Sequence, residues 1–222
     1  ELALTREDQT GYLSWQAIQA TPRVWAETLL WFRSKSVDQQ VTPEHQMVVE
    51  TQWGQTRRLP AKTVWQRTGL RIPLTGSWNS EGPTMLFGLP ARDVAEFFGW
   101  FLAEGWSICR LNGKKGTICI GQSFEANPDK CEQLEALFTR LGFTWSRLKR
   151  NSGYTVHIRT MPKDLVQLCH AQGTCSQKFV PVCFFGYSSY VLKGLLDGLV
   201  GGDGCVMQRE GRKDRWDFFT SS

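Results

Sequence analysis

The chain has 222 residues, 41% hydrophobic, 21% charged and 12% aromatic, a globular composition for one large domain or two small ones. It excludes a disordered tail, a collagen-like chain and a coiled coil, and no apolar run approaches the roughly 18 residues that a membrane span needs. A net charge of +5 leans weakly toward a polyanionic partner. The start, Glu1-Leu2-Ala3-Leu4-Thr5-Arg6, has neither a Met nor the layout of a signal peptide, so the chain reads as an excised or incomplete piece. Up to residue 88 short strands and turns are predicted. Val48-Val49 and Thr63-Val64-Trp65 are β-prone pieces, Gln52-Trp53-Gly54-Gln55 is a turn, and Arg71 to Pro83 suits a linker.

From Leu89 the period changes. Val94, Phe97, Phe98, Phe101 and Leu102 recur at helical spacing after Pro90, and Gly105 ends that helix. Ile108 to Leu111 and Thr117 to Ile120 flank a turn at Asn112-Gly113, a hairpin signal. A helix opens at Asn127-Pro128-Asp129, shows Cys131, Leu134, Leu137 and Phe138 on one face, and closes at Gly142. A second hairpin, Phe143 to Lys149 and Tyr154 to Thr160, turns at Asn151-Ser152-Gly153, and a short helix spans about Met161 to His170. From Ser188 a further helix carries Val191, Leu192, Leu195, Leu196, Leu199 and Val200, ends at Gly204 and leads into another hairpin. The seven cysteines include no C-x-x-C pair, which argues against disulfides or structural zinc and fits a reducing cytoplasm. Cys169-His170 with Cys175 is the nearest approach to a metal cluster, but cysteine is more often a small buried hydrophobe.

The order helix–hairpin–helix–hairpin–helix then restarts, and the restart repeats in sequence. Each repeat sets an acid directly before the glycine that ends a helix: Glu104-Gly105 and Asp203-Gly204. A helix C-terminus carries partial negative charge, so an acid is misplaced there. Two matched misplacements point to a divalent cation with oxygen ligands. Small residues also match: Gly99 and Ala103 in one helix, Gly198 and Gly202 in the other. Helical glycine costs roughly 1 kcal/mol relative to alanine, which close backbone approach between the two helices would offset. Packed side by side, they would bring Glu104 and Asp203 together.

Phe98-Gly99-Trp100-Phe101-Leu102-Ala103-Glu104-Gly105 and Leu196-Asp197-Gly198-Leu199-Val200-Gly201-Gly202-Asp203-Gly204 resemble the two signature motifs of the LAGLIDADG (dodecapeptide) homing endonucleases. The second is the closer match; the first is bulky at Trp100 and Phe101. The resemblance implies an α+β fold of αββαββα repeats over 89–222, with a first repeat at 89–187 and an incomplete second repeat at 188–222. It implies a monomer with pseudo-twofold symmetry that cuts double-stranded DNA, with Mg²⁺ on Glu104 and Asp203. Lys178-Phe179-Val180-Pro181 resembles the segment that supplies a catalytic lysine, Lys178, in intein-borne members.

In that setting the hairpins form the DNA platform. Between Trp106 and Thr160, outside the helix 127–142, stand Arg110, Lys114, Lys115, Arg147, Lys149, Arg150 and Arg159 against the single acid Glu125, and Arg209, Arg212 and Lys213 recur in the second repeat. Basic strands suit phosphate tracking and guanine edges, and Gln122 is placed to read adenine. His157 is better read as structural.

Val41-Thr42-Pro43-Glu44-His45-Gln46 resembles the Thr-x-x-His block of intein (Hint) splicing domains, which implies a partial, mostly-β Hint-like segment over 1–88, with Thr42 and His45 assisting an acyl shift and a host protein flanking the intein. Glu1 departs from the Cys or Ser start of that family, and Ser222 from its His-Asn end. Only one hairpin follows Asp203, so inactivity of this fragment alone is one expectation. A non-cleaving maturase or regulator and a splicing-only relic are the alternatives.

Overall fold

Alternating apolar and polar residues make the front of the chain a set of small sheets. The computed structural model describes residues 2–7, 10–21, 23, 25–78, 80–108, 117–148, 152–207 and 215–218, and the chain divides into two units, Glu1–Asn79 and Ser80–Ser222. In the first unit, β1 (Leu2–Arg6) and β2 (Tyr12–Ala17) pair antiparallel, as do β3 (Leu30–Arg33) and β4 (Asp38–Val41). β5 (Gln46–Thr51) and β6 (Thr56–Pro60) form a hairpin whose turn places Gly54 at φ +75°, a conformation that glycine adopts without penalty. A one-turn helix α1 (Ala61–Val64) follows. Met47, Val49, Ala61 and Val64 make a small buried core.

Two expectations for this segment need correction. Thr63-Val64-Trp65 is not a strand: α1 takes in Thr63 and Val64, and Trp65 caps it. Arg71 to Pro83 is not simply a linker. β7 (Leu70–Arg71) pairs with β5, and β8 (Ser77–Trp78) pairs in parallel with β2. Such pairings join residues far apart in sequence, so local turn signals did not reveal them.

The second unit begins nine residues before the expected boundary at Leu89. β9 (Met85–Leu86) and β10 (Leu89–Pro90) pair with each other, Leu86 is buried in the main core, and the Tyr187 hydroxyl donates to the Met85 carbonyl. Helix α2 (Ala91–Glu104) runs straight into β11 (Gly105–Ile108), which pairs with β12 (Thr117–Gly121). Helix α3 (Pro128–Leu141) ends on Gly142 at φ +67°. β13 (Trp145–Arg147) and β14 (Gly153–Val156) complete a four-stranded antiparallel sheet of order β11-β12-β14-β13. The expected strand through Thr160 stops earlier, because Ile158–Thr160 is a 3-10 turn. Helix α4 (Lys163–Ala171) follows. Helix α5 (Ser189–Asp203), whose cap Ser188 accepts from the Val191 N–H, then runs into β15 (Gly204–Met207), paired with β16 (Arg215–Phe218). The unit is mixed α+β.

Strand alternation decides what the sheet covers. Ile118, Ile120, Tyr154 and Val156 are buried on one face, against a core that includes Phe97, Phe98, Leu134 and Phe138. In register with one another, Trp106, Cys119 and Thr155 lie on the other face, as do Ile108 and Thr117. Helix α2 is therefore covered by the sheet and α3 on one side and by α5 on the other. Of the apolar residues expected on α5, Leu196 is the exception, 46% exposed.

Candidate active site at the paired helix ends

Helices α2 and α5 lie parallel, and glycine sets their separation. A Cβ built at Gly99 would stand 2.3 Å from the Leu195 carbonyl oxygen, and one at Gly198 would stand 2.1 Å from that of Glu96. The two Cα atoms are so close that each virtual Cβ lies 3.0 Å from the other glycine's Cα. One turn on, a Cβ at Gly202 would meet the Ala103 Cβ at 2.3 Å and the Glu104 Cγ at 3.2 Å. Further back, Gly194 lies against the Arg92 carbonyl. These contacts leave no room for side chains along the seam. Both helices consequently end on the same side, with the Glu104 side chain against the backbone next to Asp203.

The acids influence each other there. Burial raises the Glu104 carboxyl above its ordinary range, and the charge of Asp203 raises it further, while Lys130 and Lys178 oppose. Asp203 is more exposed and also raised by burial, against Lys178 and Lys130. Repulsion between two carboxylates is mutual, so protonating either one relieves both. Two carboxylates beside helix-end carbonyls form an oxygen donor set that fits a hard divalent cation. Among the described residues no group of three or more His, Cys, Asp or Glu side chains is placed to hold a metal. Further ligands at Glu104 and Asp203 would thus be carbonyls, water or a phosphate oxygen.

Two ammonium groups close the helix ends. Lys178, from the segment before α5, donates to the carbonyls of Phe101 at 3.1 Å, Leu102 at 2.9 Å and Gly105 at 2.6 Å. The Phe101 carbonyl also accepts from the Gly105 N–H and the Gly105 carbonyl belongs to β11, so the ammonium joins the last turn of α2 to the strand that follows and opposes that helix's negative end. Lys130, from the first turn of α3, donates to the Gly202 carbonyl at 3.0 Å at the end of α5. The sequence singled out Lys178 but not Lys130. Its signal was available: a cation in a helix's first turn is as misplaced as an acid in the last.

The expected DNA contacts fare unequally. Arg110, Lys114, Lys115, Lys149, Arg150, Arg209, Arg212 and Lys213 lie outside the described residues. Arg147 is in register with the buried Tyr154, on the helix-covered face of the sheet. It pairs with Glu135 at 3.1 Å and covers the Phe124 ring at 4.3 Å, so it packs the sheet onto α3 rather than facing a groove. Gln122 is only 6% exposed. Its Oε1 accepts from Asn127 Nδ2 at 2.7 Å, and its Nε2 is buried without a partner. Reading a base would require this side chain to leave its pocket.

Arg159 is exposed and lines a surface cavity with Thr117, Thr144 and His157. His157 bridges Thr144 and Ser146 across the strand ends. Cys169 is buried, and burial pushes its thiol up, as a core cysteine requires rather than a metal ligand. In the first unit Thr42 and His45 share one turn, in which the His45 N–H donates to the Thr42 carbonyl at 3.0 Å. The His45 side chain is exposed. No helix among the described residues is long and apolar enough to cross a membrane. Compared with known protein families, curated proteins and solved structures, the chain gives no significant match.

Proposed function

We propose that the second unit is part of a LAGLIDADG-type homing endonuclease borne by an intein, acting on double-stranded DNA. The observation that carries this reading is the reciprocal glycine contact, Gly99 on the Leu195 carbonyl and Gly198 on the Glu96 carbonyl, which sets two acid-ended helices side by side. Two ordinary amphipathic helices with glycine stops have no need of backbone contact at matched positions, nor of an acid at each shared end.

On this reading Glu104 and Asp203 hold Mg²⁺ or a similar divalent cation. Such a cation supplies Lewis-acid activation of water and stabilises the leaving oxygen of a phosphodiester. The chain's own part is preorganisation. The glycine seam fixes the separation of the two carboxyls, and Lys178 locks the end of α2 while adding positive charge near both acids. A fixed positive charge of this kind favours the extra negative charge that develops on phosphate in the transition state. The sheet face bearing Trp106, Ile108, Thr117 and Thr155 is the side on which DNA would lie.

The test is Mg²⁺-dependent cutting of a randomised duplex library by the chain, read by sequencing new ends. Asp203→Asn and Glu104→Gln should each abolish double-strand cleavage while metal-free duplex binding persists. An Asp203→Asn chain that still cuts both strands like wild type removes the assigned role. Metal-independent binding with no cutting by wild type favours the non-cleaving alternative.

A further inference from the structure

This inference rests on the cation-holding reading of Glu104 and Asp203 and concerns a residue outside that pair. Lys130 stands in the first turn of α3, where the positive end of that helix disfavours a cation. Its neighbour Asp129 is the acid such a position favours. Lys130 instead reaches across to α5 and donates to the Gly202 carbonyl at 3.0 Å, one residue before Asp203. The positive end of α3 thus meets the negative end of α5 through one ammonium group. The Lys130 side chain is half-buried, and its charge acts on both Glu104 and Asp203. Gly202 is also the residue whose Cα faces Ala103 and the Glu104 Cγ, so the anchored carbonyl belongs to the seam itself.

We propose that Lys130 is a positioning residue for the acid pair: it anchors the last turn of α5 so that Asp203 is held beside Glu104, and its charge weakens the pair's affinity for a divalent cation. Lys178 treats the end of α2 in the same way, with three carbonyls instead of one. The two lysines come from different elements and converge on the two ends of one site. Charge sets the cation affinity here, while the hydrogen bond sets the placement of Asp203. Substitutions can separate these effects, because methionine removes both charge and donor, glutamine removes the charge but keeps an N–H donor, and arginine keeps both.

The experiment is calorimetric titration of the full chain with Mn²⁺ at low salt, comparing wild type, Lys130→Met, Lys130→Gln and Lys130→Arg. Glu104→Gln marks which binding belongs to the pair. Lys130→Met and Lys130→Gln should bind Mn²⁺ roughly three- to tenfold tighter, since a nearby unit charge opposing the cation has been removed. Lys130→Arg should stay within about twofold of wild type by the same reasoning. A loss of thermal stability without any change in Mn²⁺ affinity makes Lys130 merely structural and overturns the inference, as does an equal shift in all three variants. Wild-type chain with no Mn²⁺ binding sensitive to Glu104→Gln overturns the cation reading itself, and this inference with it.

Discussion

The ends of α2 and α5 use one sequence device under unequal support. At the end of α2, Glu104 is half-buried, Lys178 satisfies three carbonyls, and the next strand enters a four-stranded sheet. At the end of α5, Asp203 is exposed, Lys130 satisfies one carbonyl, and the next strand pairs, among the described residues, only with β16. Yet the seam between the helices is close to symmetric, glycine against the carbonyl three residues before the other glycine. Packing of the helix backbones therefore fixes where the acids meet, and the surrounding elements decide how firmly each is held. The α2 end should be the more rigid of the two.

The largest effect should come from breaking the symmetric part. Gly99→Val and Gly198→Val each drive a branched side chain into a carbonyl of the other helix, and each should destabilise the second unit by about 3 kcal/mol or more. Urea unfolding measures this, with Gly186→Ala as the control, since nothing lies within 4 Å of its virtual Cβ. A loss at one glycine but not the other would refute a shared seam. Next comes the unequal part. Lys178→Met removes a charge-assisted donor from three carbonyls and should cost roughly 2 kcal/mol, more than Lys130→Met with its single carbonyl. Equal losses would mean that the carbonyl contacts do not set the firmness of the two ends.

Much of this arrangement was legible in the sequence, because it depends on local spacing. Val94, Phe97, Phe98 and Phe101 repeat with the helix, Gly142 marks a helix end, and Gly99 with Gly198 marks a close approach. What the sequence hid depends on partners distant along the chain. Arg147 reads as a groove-facing base until the register with Tyr154 shows which face of the sheet it occupies. Gln122 reads as an amide free to meet adenine until Asn127 is seen to hold it. The first-turn position of Lys130 is visible in the sequence, but only the meeting of α3 with the end of α5 gives it a role. The pairing of Ser77–Trp78 with β2 was hidden for the same reason.

A smaller effect separates the two acids. Glu104 is raised by burial and by Asp203, so its charged form is disfavoured in the metal-free chain at neutral pH. Glu104→Gln should therefore raise the metal-free melting temperature slightly, and by more than Asp203→Asn, whose carboxyl is the more exposed. The opposite ranking would show that the two ends are not covered as unequally as described.

The smallest effect tests the seam away from the acids. Glu96 supplies the carbonyl that faces Gly198, and its side chain accepts from Arg140 at 2.9 Å and Arg92 at 3.5 Å. Burial, helped by the charges of Asp93 and Asp197, nevertheless outweighs both arginines and raises its carboxyl above the ordinary range. A raised acid contributes its stability fully below its unfolded value and loses it as pH rises through the folded one. Wild type should thus lose ground to Glu96→Gln from about pH 4.5 upward, by no more than about 1 kcal/mol, because Arg140 keeps Asp93 at 3.0 Å. Urea midpoints of the two proteins between pH 4 and 7 decide it. If wild type instead gains on the variant as pH rises, the ion pairs outweigh burial, and Glu96 binds α2 to α3 through charge rather than at a cost.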